Sequence, residues 1–265
     1  MPPFTAHSDL FVAIHEDGLN LIAQNVMKQR PSMFNYASAA IAAQKNLWCA
    51  PVDVTPDVTA HGNPIFTVEQ PLPVLGTIAP AASLDWSAQV LGIRLDVHPG
   101  NVVTLPAELH PPLKQQRFAF AVDVAGQIAC PDAEALSAAE PKGQQDRLEP
   151  VVLSPGRKPN CFKLEAIAIG RVDVKTVNGT DAVVTTIDDV DIVGLGGEPF
   201  EDAISCYVRT TLNLVLFQRL RIALSTFLLH VNLMGGTISL ALAPVPHNPA
   251  LQEDRIELFV NLEFM

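Results

Sequence analysis

The sequence predicts an α+β protein in which many β-strands surround a largely apolar helix late in the chain. Two observations carry this prediction. The range 200–231 (FEDAISCYVRTTLNLVLFQRLRIALSTFLLHV) contains neither Gly nor Pro and is apolar on nearly every helical face, which is typical of a buried helix. On both sides of it, apolar and polar residues alternate with the period of two that half-buried strands show.

Composition narrows the possible partners. The 265 residues are 48% hydrophobic and 17% charged, with a formal net charge of -11. This charge argues against nucleic acid or an anionic membrane surface as the main partner, since both attract Lys and Arg. The N-terminus has no basic region followed by an apolar run, and charged residues such as Arg209 and Arg219 interrupt the range 200–231. We therefore expect a soluble, cytoplasmic protein without a signal peptide or transmembrane segment.

The four cysteines are widely spaced and form no zinc-ligand pattern. Buried free thiols are the favoured interpretation for Cys49, Cys130, Cys161 and Cys206, as expected in the cytoplasm. A single disulfide between Cys130 and Cys161 remains an alternative, whose geometry the sequence does not establish.

Along the chain, a helix is expected over 9–29, or a short strand over 10–15 followed by a helix over 19–29, because Gly18 interrupts the helical pattern. Clear alternation then predicts further strands, and Phe118, Phe120, Val122 and Val124 are expected to share one face of theirs. The predicted strands cover 90–97, 116–128, 161–177, 182–193, 238–242 and 255–264. A bulge or bend is expected at Gly170.

The range 200–231 is expected to be helical to about Gln218 and extended after Arg221. A polar stretch rich in Ala, Glu, Gln and Pro, at about 130–149, indicates an exposed loop. Strands with the same alternation resume after it, so we predict a single domain over 1–265 rather than two.

Three polar patterns are candidate sites of chemistry. His15-Glu16-Asp17 is interpreted as a solvated join between strand and helix rather than a catalytic or metal-binding group. Asp189 and Asp191 could share a strand face and bind Ca²⁺, but they lack the glycine and terminal glutamate of an EF-hand loop, so a solubilising face is favoured. The glycine-rich range 194–197 lacks a complete phosphate-binding motif. These patterns predict a non-enzymatic protein without a metal or cofactor.

The segment Ile14-His15-Glu16-Asp17-Gly18-Leu19, followed by a helix, resembles the opening of tubular lipid-binding (TULIP) domains, the superfamily of the bactericidal permeability-increasing protein. The order of helix, long strands, second helix and final strands is also similar. The resemblance implies one elongated, strongly curved antiparallel sheet wrapped around a long helix, with a second long helix late in the chain. The signal peptide and disulfide of the secreted members are not evident here, as in bacterial cytosolic relatives.

The resemblance also implies binding of a lipid or another long apolar ligand in an internal groove. Its lining would come from both helices and the concave face of the sheet. The expected residues are Leu19, Ile22, Val26, Phe118, Phe120, Leu164, Val208, Leu212, Val215, Leu216 and Leu258. Ordinary core packing is the competing interpretation for each of them.

A second functional hypothesis belongs to a different class. The protein would be a structural or assembly component, for instance of a toxin or phage-tail-like system, whose apolar surface pairs with itself or with a protein partner. Oligomeric state distinguishes the two hypotheses, because a ligand carrier can be monomeric and an assembly protein cannot.

Overall fold

A computed structural model of the protein describes residues 8–73, 83–129, 161–177, 180–194, 205–206, 208–210, 222–223, 231–233, 236–243, 245 and 247–264. These residues are mostly β, and their helices are short. Helix α1 (Glu16–Gln29) is the longest described helix; its 14 residues span roughly 21 Å at 1.5 Å per residue. Two further helices, α2 (Ala39–Ala42) and α3 (Pro56–Ala60), are each little more than one turn.

Thirteen strands complete the described part of the fold, and short 3₁₀ turns lie at Pro31–Met33, Lys45–Leu47 and Ala107–Leu109. The strands are β1 (Leu10–His15), β2 (Asn35–Ser38), β3 (Thr67–Glu69), β4 (Leu72–Pro73), β5 (Ser83–Val97), β6 (Phe118–Ala129), β7 (Cys161–Val177), β8 (Thr180–Val193), β9 (Ile222–Ala223), β10 (Val231–Leu233), β11 (Gly236–Leu242), β12 (Ala250–Gln252) and β13 (Arg255–Phe264).

The strands form two sheets. One has the order β1-β13-β11-β10, with β12 also paired to β13. The other has the order β3-β2-β5-β6-β7-β8-β9, with β4 paired to β5. The long strands predicted from alternation are confirmed. At the N-terminal end a single helix over 9–29 is wrong and the alternative of a short strand over 10–15 is confirmed, but the helix after it begins at Glu16 and includes Gly18. Residues 222–223 are extended, as expected after Arg221.

The predicted fold class is wrong. Instead of one curved sheet wrapped around a long helix, the described residues form two sheets accompanied by short helices. Most of the expected second helix, and the expected loop over 130–149, lie outside the described residues; within the former, residues 205–206 and 208–210 are helical. Helix α1 leaves Leu21 60% and Ile22 58% exposed, so it is not the buried axis of a sheet.

The chain divides into two compact units. The first unit comprises Met1–Ile22, Ile93–Ala121 and Ala166–Met265, and the second unit comprises Ala23–Gly92 and Val122–Glu165. The prediction of a single domain stays a prediction, because compactness of the units does not test whether they fold separately.

The core of the first unit lies beneath the alanine face of β6. Ala119 and Ala121 are fully buried and pack, together with Ile167 of β7, against a loop segment that contains Leu109 and Leu113. Small side chains on the strand let the loop approach closely. The expected apolar face of Phe118 and its even-numbered neighbours is therefore not the face that carries this core.

Strand β7 runs without interruption through Gly170. A Cβ atom at this position would lie 2.6 Å from Cζ of Phe118 and 2.7 Å from the carbonyl oxygen of Thr186. Glycine is needed here for close approach of the Phe118 ring, and the bulge or bend expected at this position stays a prediction.

The second unit has an apolar core of Ala37, Ile41, Leu47, Phe66 and Ala129. Two fully buried glutamines fix the loop beside this core. Gln89 accepts hydrogen bonds from the backbone N–H groups of Cys49 and Ala50 and donates to Ala50 O, and Gln127 donates to Leu47 O at 3.0 Å. Such pairing satisfies backbone groups that no strand or helix satisfies.

A disulfide joins Cys49 to Cys161, with a Cα–Cα distance of 5.5 Å. Both cysteines belong to the second unit. The expectation of free thiols is thus wrong for these two residues, and Cys161 is not available for the alternative pairing with Cys130. Cys206 is free and exposed rather than buried. A structural disulfide is typical of proteins that fold in an oxidising compartment.

Candidate functional site

Two adjoining cavities of about 390 and 310 Å³ lie in the first unit. They share three wall residues, Gln115, Gln116 and His247. We call them together the polar cleft, defined by His98, Gln115, Gln116, Arg117, Arg171 and His247. Volumes of this size are within the range of small-molecule sites.

Gln116 stands at the centre of the polar cleft, two residues before β6. Its φ angle of 58° lies in the left-handed region, which non-glycine residues rarely adopt. Its side-chain Oε1 accepts a hydrogen bond from the backbone N–H of Leu251 at 3.0 Å. Because Oε1 has this partner, the amide Nε2 is the end of the side chain left for a ligand.

His98 follows β5 and forms another wall. Its Nδ1 lies 2.9 Å from the carbonyl oxygen of Leu113. A carbonyl oxygen only accepts, so Nδ1 carries the proton and Nε2 of the neutral ring is an acceptor. The loop of His247 is fixed by its neighbour Asn248, whose Nδ2 donates to Ala243 O at 3.0 Å and Phe259 O at 2.7 Å.

An ion network lines the second cavity. Arg171 donates to Asp188 Oδ1 at 2.7 Å and to Asp173 Oδ2 at 3.0 Å, while Arg117 donates to the other oxygen of Asp188. Each guanidinium in the polar cleft therefore already has a carboxylate partner. The neighbouring Asp189 is about half exposed and lies 3.3 Å from Arg209, so its side chain is ion-paired and still in contact with solvent. The described residues contain no cluster of three or more His, Cys, Asp or Glu side chains suited to a metal.

Buried carboxylates lie in the same unit. Glu16 is 1% exposed and accepts a hydrogen bond from Val97 N–H at 2.5 Å, and Asp96 accepts from the N–H groups of Asn101, Val102 and Val103. Burial raises the pKa of Glu16, and the nearby charge of Asp96 adds to the rise, although the Val97 N–H opposes it. The expectation of a solvated join is wrong for Glu16.

Apolar side chains share one face of β1 and β13; those of β1 are exposed, whereas Val260 of β13 is buried. Leu10 pairs with Val260, Val12 with Leu258, and Ile14 with Ile256, so all six share one face. We call these six residues with Leu262 the apolar sheet face. Leu10, Val12, Ile14 and Leu262 are 38–46% exposed, whereas Glu257 on the opposite face of β13 is buried. Exposed apolar patches in register mark interaction sites more often than isolated exposed residues do.

The residues expected to line a lipid groove are scattered. Val26 and Leu164 belong to the second unit, and the others to the first. Ile22 is exposed, Phe118 is buried over Gly170, and Leu212, Val215 and Leu216 lie outside the described side chains. The remaining residues are half-buried, namely Leu19, Val26, Phe120, Leu164, Val208 and Leu258. None of the eight that the structure describes is among the walls of the polar cleft.

Sequence reasoning missed the polar cleft because its residues come from four separate stretches of the chain. The run Gln115-Gln116-Arg117 carries three hydrogen-bonding side chains directly before a strand, and this was the available local signal. Nothing local linked it to Arg171 or to His247.

No protein-family model matches the chain, and no curated protein matches it in sequence. Within the described ranges, every helix is too short or too polar to cross a membrane. The class of protein must therefore be argued from the two surfaces of the first unit.

Proposed function

We propose that the protein is a non-enzymatic assembly component and that the apolar sheet face packs against the same face of a second copy of the chain. The observation that supports this proposal most is the exposure of the apolar residues of β1, where Leu10, Val12 and Ile14 are 41–46% exposed. On β13, Leu262 is 38% exposed, whereas Val260 is buried on the same face and Glu257 is buried on the opposite face. Leaving apolar area in water costs about 25 cal/mol per Å², so a partner that covers the face gains that free energy.

Charge makes this face the least unfavourable place for two copies to meet. The chain carries a net charge of -11, so two copies repel each other over most of their surface. The apolar sheet face contains no ionisable side chain, which makes contact there less costly than elsewhere. Sheets commonly pack face to face at about 10 Å, and a twofold axis lets each copy offer the same surface.

Binding of a lipid or another long apolar ligand is the competing proposal. It rests on the same exposed residues, because a fatty acyl chain would also remove them from water. An open sheet face encloses a chain less completely than the expected internal groove would, and this is why assembly is preferred.

Sedimentation equilibrium over a hundredfold range of concentration tests the proposal. The wild-type chain should show a concentration-dependent rise towards the mass of a dimer. Val12→Asp should weaken association at least about tenfold, since burying an unpaired charge costs well over 1.4 kcal/mol. Val68→Asp is the matched control, because Val68 is exposed on β3 of the second unit.

Thermal unfolding of both variants confirms that each is folded. A wild-type chain that stays monomeric at all concentrations contradicts the assembly proposal. Native mass spectrometry of that monomer then reports whether a copurified lipid supports the competing proposal.

A further inference from the structure

We propose that the polar cleft binds a small, uncharged, hydroxyl-rich ligand of the carbohydrate class. This inference concerns a different surface from the apolar sheet face and does not depend on self-association. It rests on three properties of the cleft: its hydrogen-bonding inventory, its charge balance and the way its central side chain is fixed.

The hydrogen-bonding inventory mixes open donors with open acceptors. The bond of Gln116 Oε1 to Leu251 N–H leaves the Nε2 donor, and the contact of His98 Nδ1 with Leu113 O leaves the Nε2 acceptor. Gln252, which also lines the first cavity, donates through Nε2 to Glu257 at 2.7 Å, and this leaves its Oε1 acceptor. A hydroxyl group donates one hydrogen bond and accepts two, so a ligand with several hydroxyls matches such a wall.

The charge balance disfavours ionic ligands. Asp188 forms ion pairs with both arginines of the polar cleft, and Asp173 forms a second ion pair with Arg171. An anion would have to compete with these carboxylates and would meet Glu253 on the wall of the first cavity. A cation would meet the two guanidiniums. A neutral ligand is repelled neither by the carboxylates nor by the guanidiniums. Burying its polar groups costs little free energy when each of them is hydrogen-bonded.

The central side chain is fixed before a ligand arrives. Gln116 holds a left-handed backbone conformation, which costs an L-residue with a side chain more than it costs glycine. The neighbouring backbone is anchored as well, because Arg117 O accepts a hydrogen bond from His98 N–H at 3.2 Å. Fixing the donor in advance reduces the entropy lost on binding.

Saturation-transfer NMR with the full chain tests this inference. The probes are glucose, galactose, mannose, N-acetylglucosamine, maltose and sucrose, with inorganic phosphate as the anionic arm. We expect at least one saccharide to bind in the millimolar range and to bind more tightly than phosphate. Failure of all six saccharides to bind, or tighter binding of phosphate, overturns the inference.

Gln116→Glu is the informative variant. It keeps an oxygen to accept from Leu251 N–H and replaces the Nε2 donor by a second acceptor, so the fold should persist while saccharide affinity falls about tenfold or more. Gln24→Glu makes the same change at an exposed position of α1 in the second unit and should bind as wild type does. Equal affinity of Gln116→Glu and wild type would place the saccharide elsewhere and refute the assignment. Circular dichroism of each variant excludes unfolding as the cause.

Discussion

Both units have an apolar core, and they differ in the groups that fix their irregular segments. The second unit has a buried apolar core. Hydrogen bonds from buried glutamines and the Cys49–Cys161 disulfide hold the loop beside this core in place. The first unit buries the carboxylates of Glu16, Asp96 and Glu257 and leaves apolar residues of β1 exposed. We therefore expect removal of the disulfide to destabilise mainly the second unit, and changes at a buried carboxylate to act on the first.

Removing the disulfide should have the largest effect on the free energy of unfolding, and the second unit should be the part that is destabilised. The two cysteines are 112 residues apart, and loss of a native disulfide typically costs about 2–4 kcal/mol. We expect the double variant Cys49→Ser with Cys161→Ser to lower the free energy of unfolding in urea by that amount. Cys206→Ser is the control and should leave it unchanged, because Cys206 is free.

Hydrogen exchange of the same double variant sharpens the comparison. Backbone amides near Ala37 and Ile41 of the second unit should lose protection, while those near Ala121 and Ile167 of the first unit should lose less. Equal loss in both units would show that they unfold together and would remove the distinction drawn between them.

Two glycines lie under aromatic rings, one in each unit. Replacing each of them by alanine should lower the free energy of unfolding by different amounts. At Gly170 in the first unit, the new methyl group meets a backbone oxygen, so we expect a loss of about 2–3 kcal/mol. At Gly126 in the second unit, the three nearest atoms belong to the ring of Phe162, which is 44% exposed and can turn away. The expected loss there is about 1 kcal/mol or less. Paired urea titrations measure both, and a larger loss at Gly126 would be inconsistent with this packing.

The smallest expected effect concerns pH and the buried carboxylate of the first unit. The pKa of Glu16 is raised in the folded state, so the folded protein holds this proton more tightly than the unfolded chain does. Its contribution to stability is fully present below the unfolded pKa and is lost as pH rises through the folded pKa. Glu16→Gln keeps an acceptor for Val97 N–H, and its stability should therefore depend less on pH above about 4.5.

Urea titrations of wild type and Glu16→Gln between pH 4 and pH 8 measure this difference. The gain in stability of the variant over wild type should grow as pH rises. A gain that shrinks over this range would mean that the ionised form of Glu16 is the one the fold prefers.

The sequence predicts the positions of the long strands well, but it predicts poorly which residues pair with them or cover them. Alternation is a local property, so β7 and β13 could be found from their own residues. The disulfide could not, because no local signal pairs Cys49 with Cys161. Strand β12 was also missed, since its turn to β13 uses Glu253 and Asp254 at positive φ, where Asn-Gly is the usual signal.

The error in fold class has a physical cause too. Alternation gives the parity of a strand but does not tell which face is covered, so Leu258 could be assigned to a groove wall as readily as to an outer face. In β6 the small residues Ala119 and Ala121 carry the core because a loop packs closely on them. A hydrophobic pattern alone favours the larger Phe120 for that role.

We propose above all that the apolar sheet face becomes buried when two copies associate. The direct measurement is solvent paramagnetic relaxation of methyl groups at low and high protein concentration. We expect the methyl groups of Val12 and Ile14 to become protected from the paramagnetic agent at high protein concentration, while those of Val68 in the second unit stay accessible to it. Equal accessibility of Val12 and Val68 at high concentration, in a sample that sedimentation shows to be associated, would contradict it.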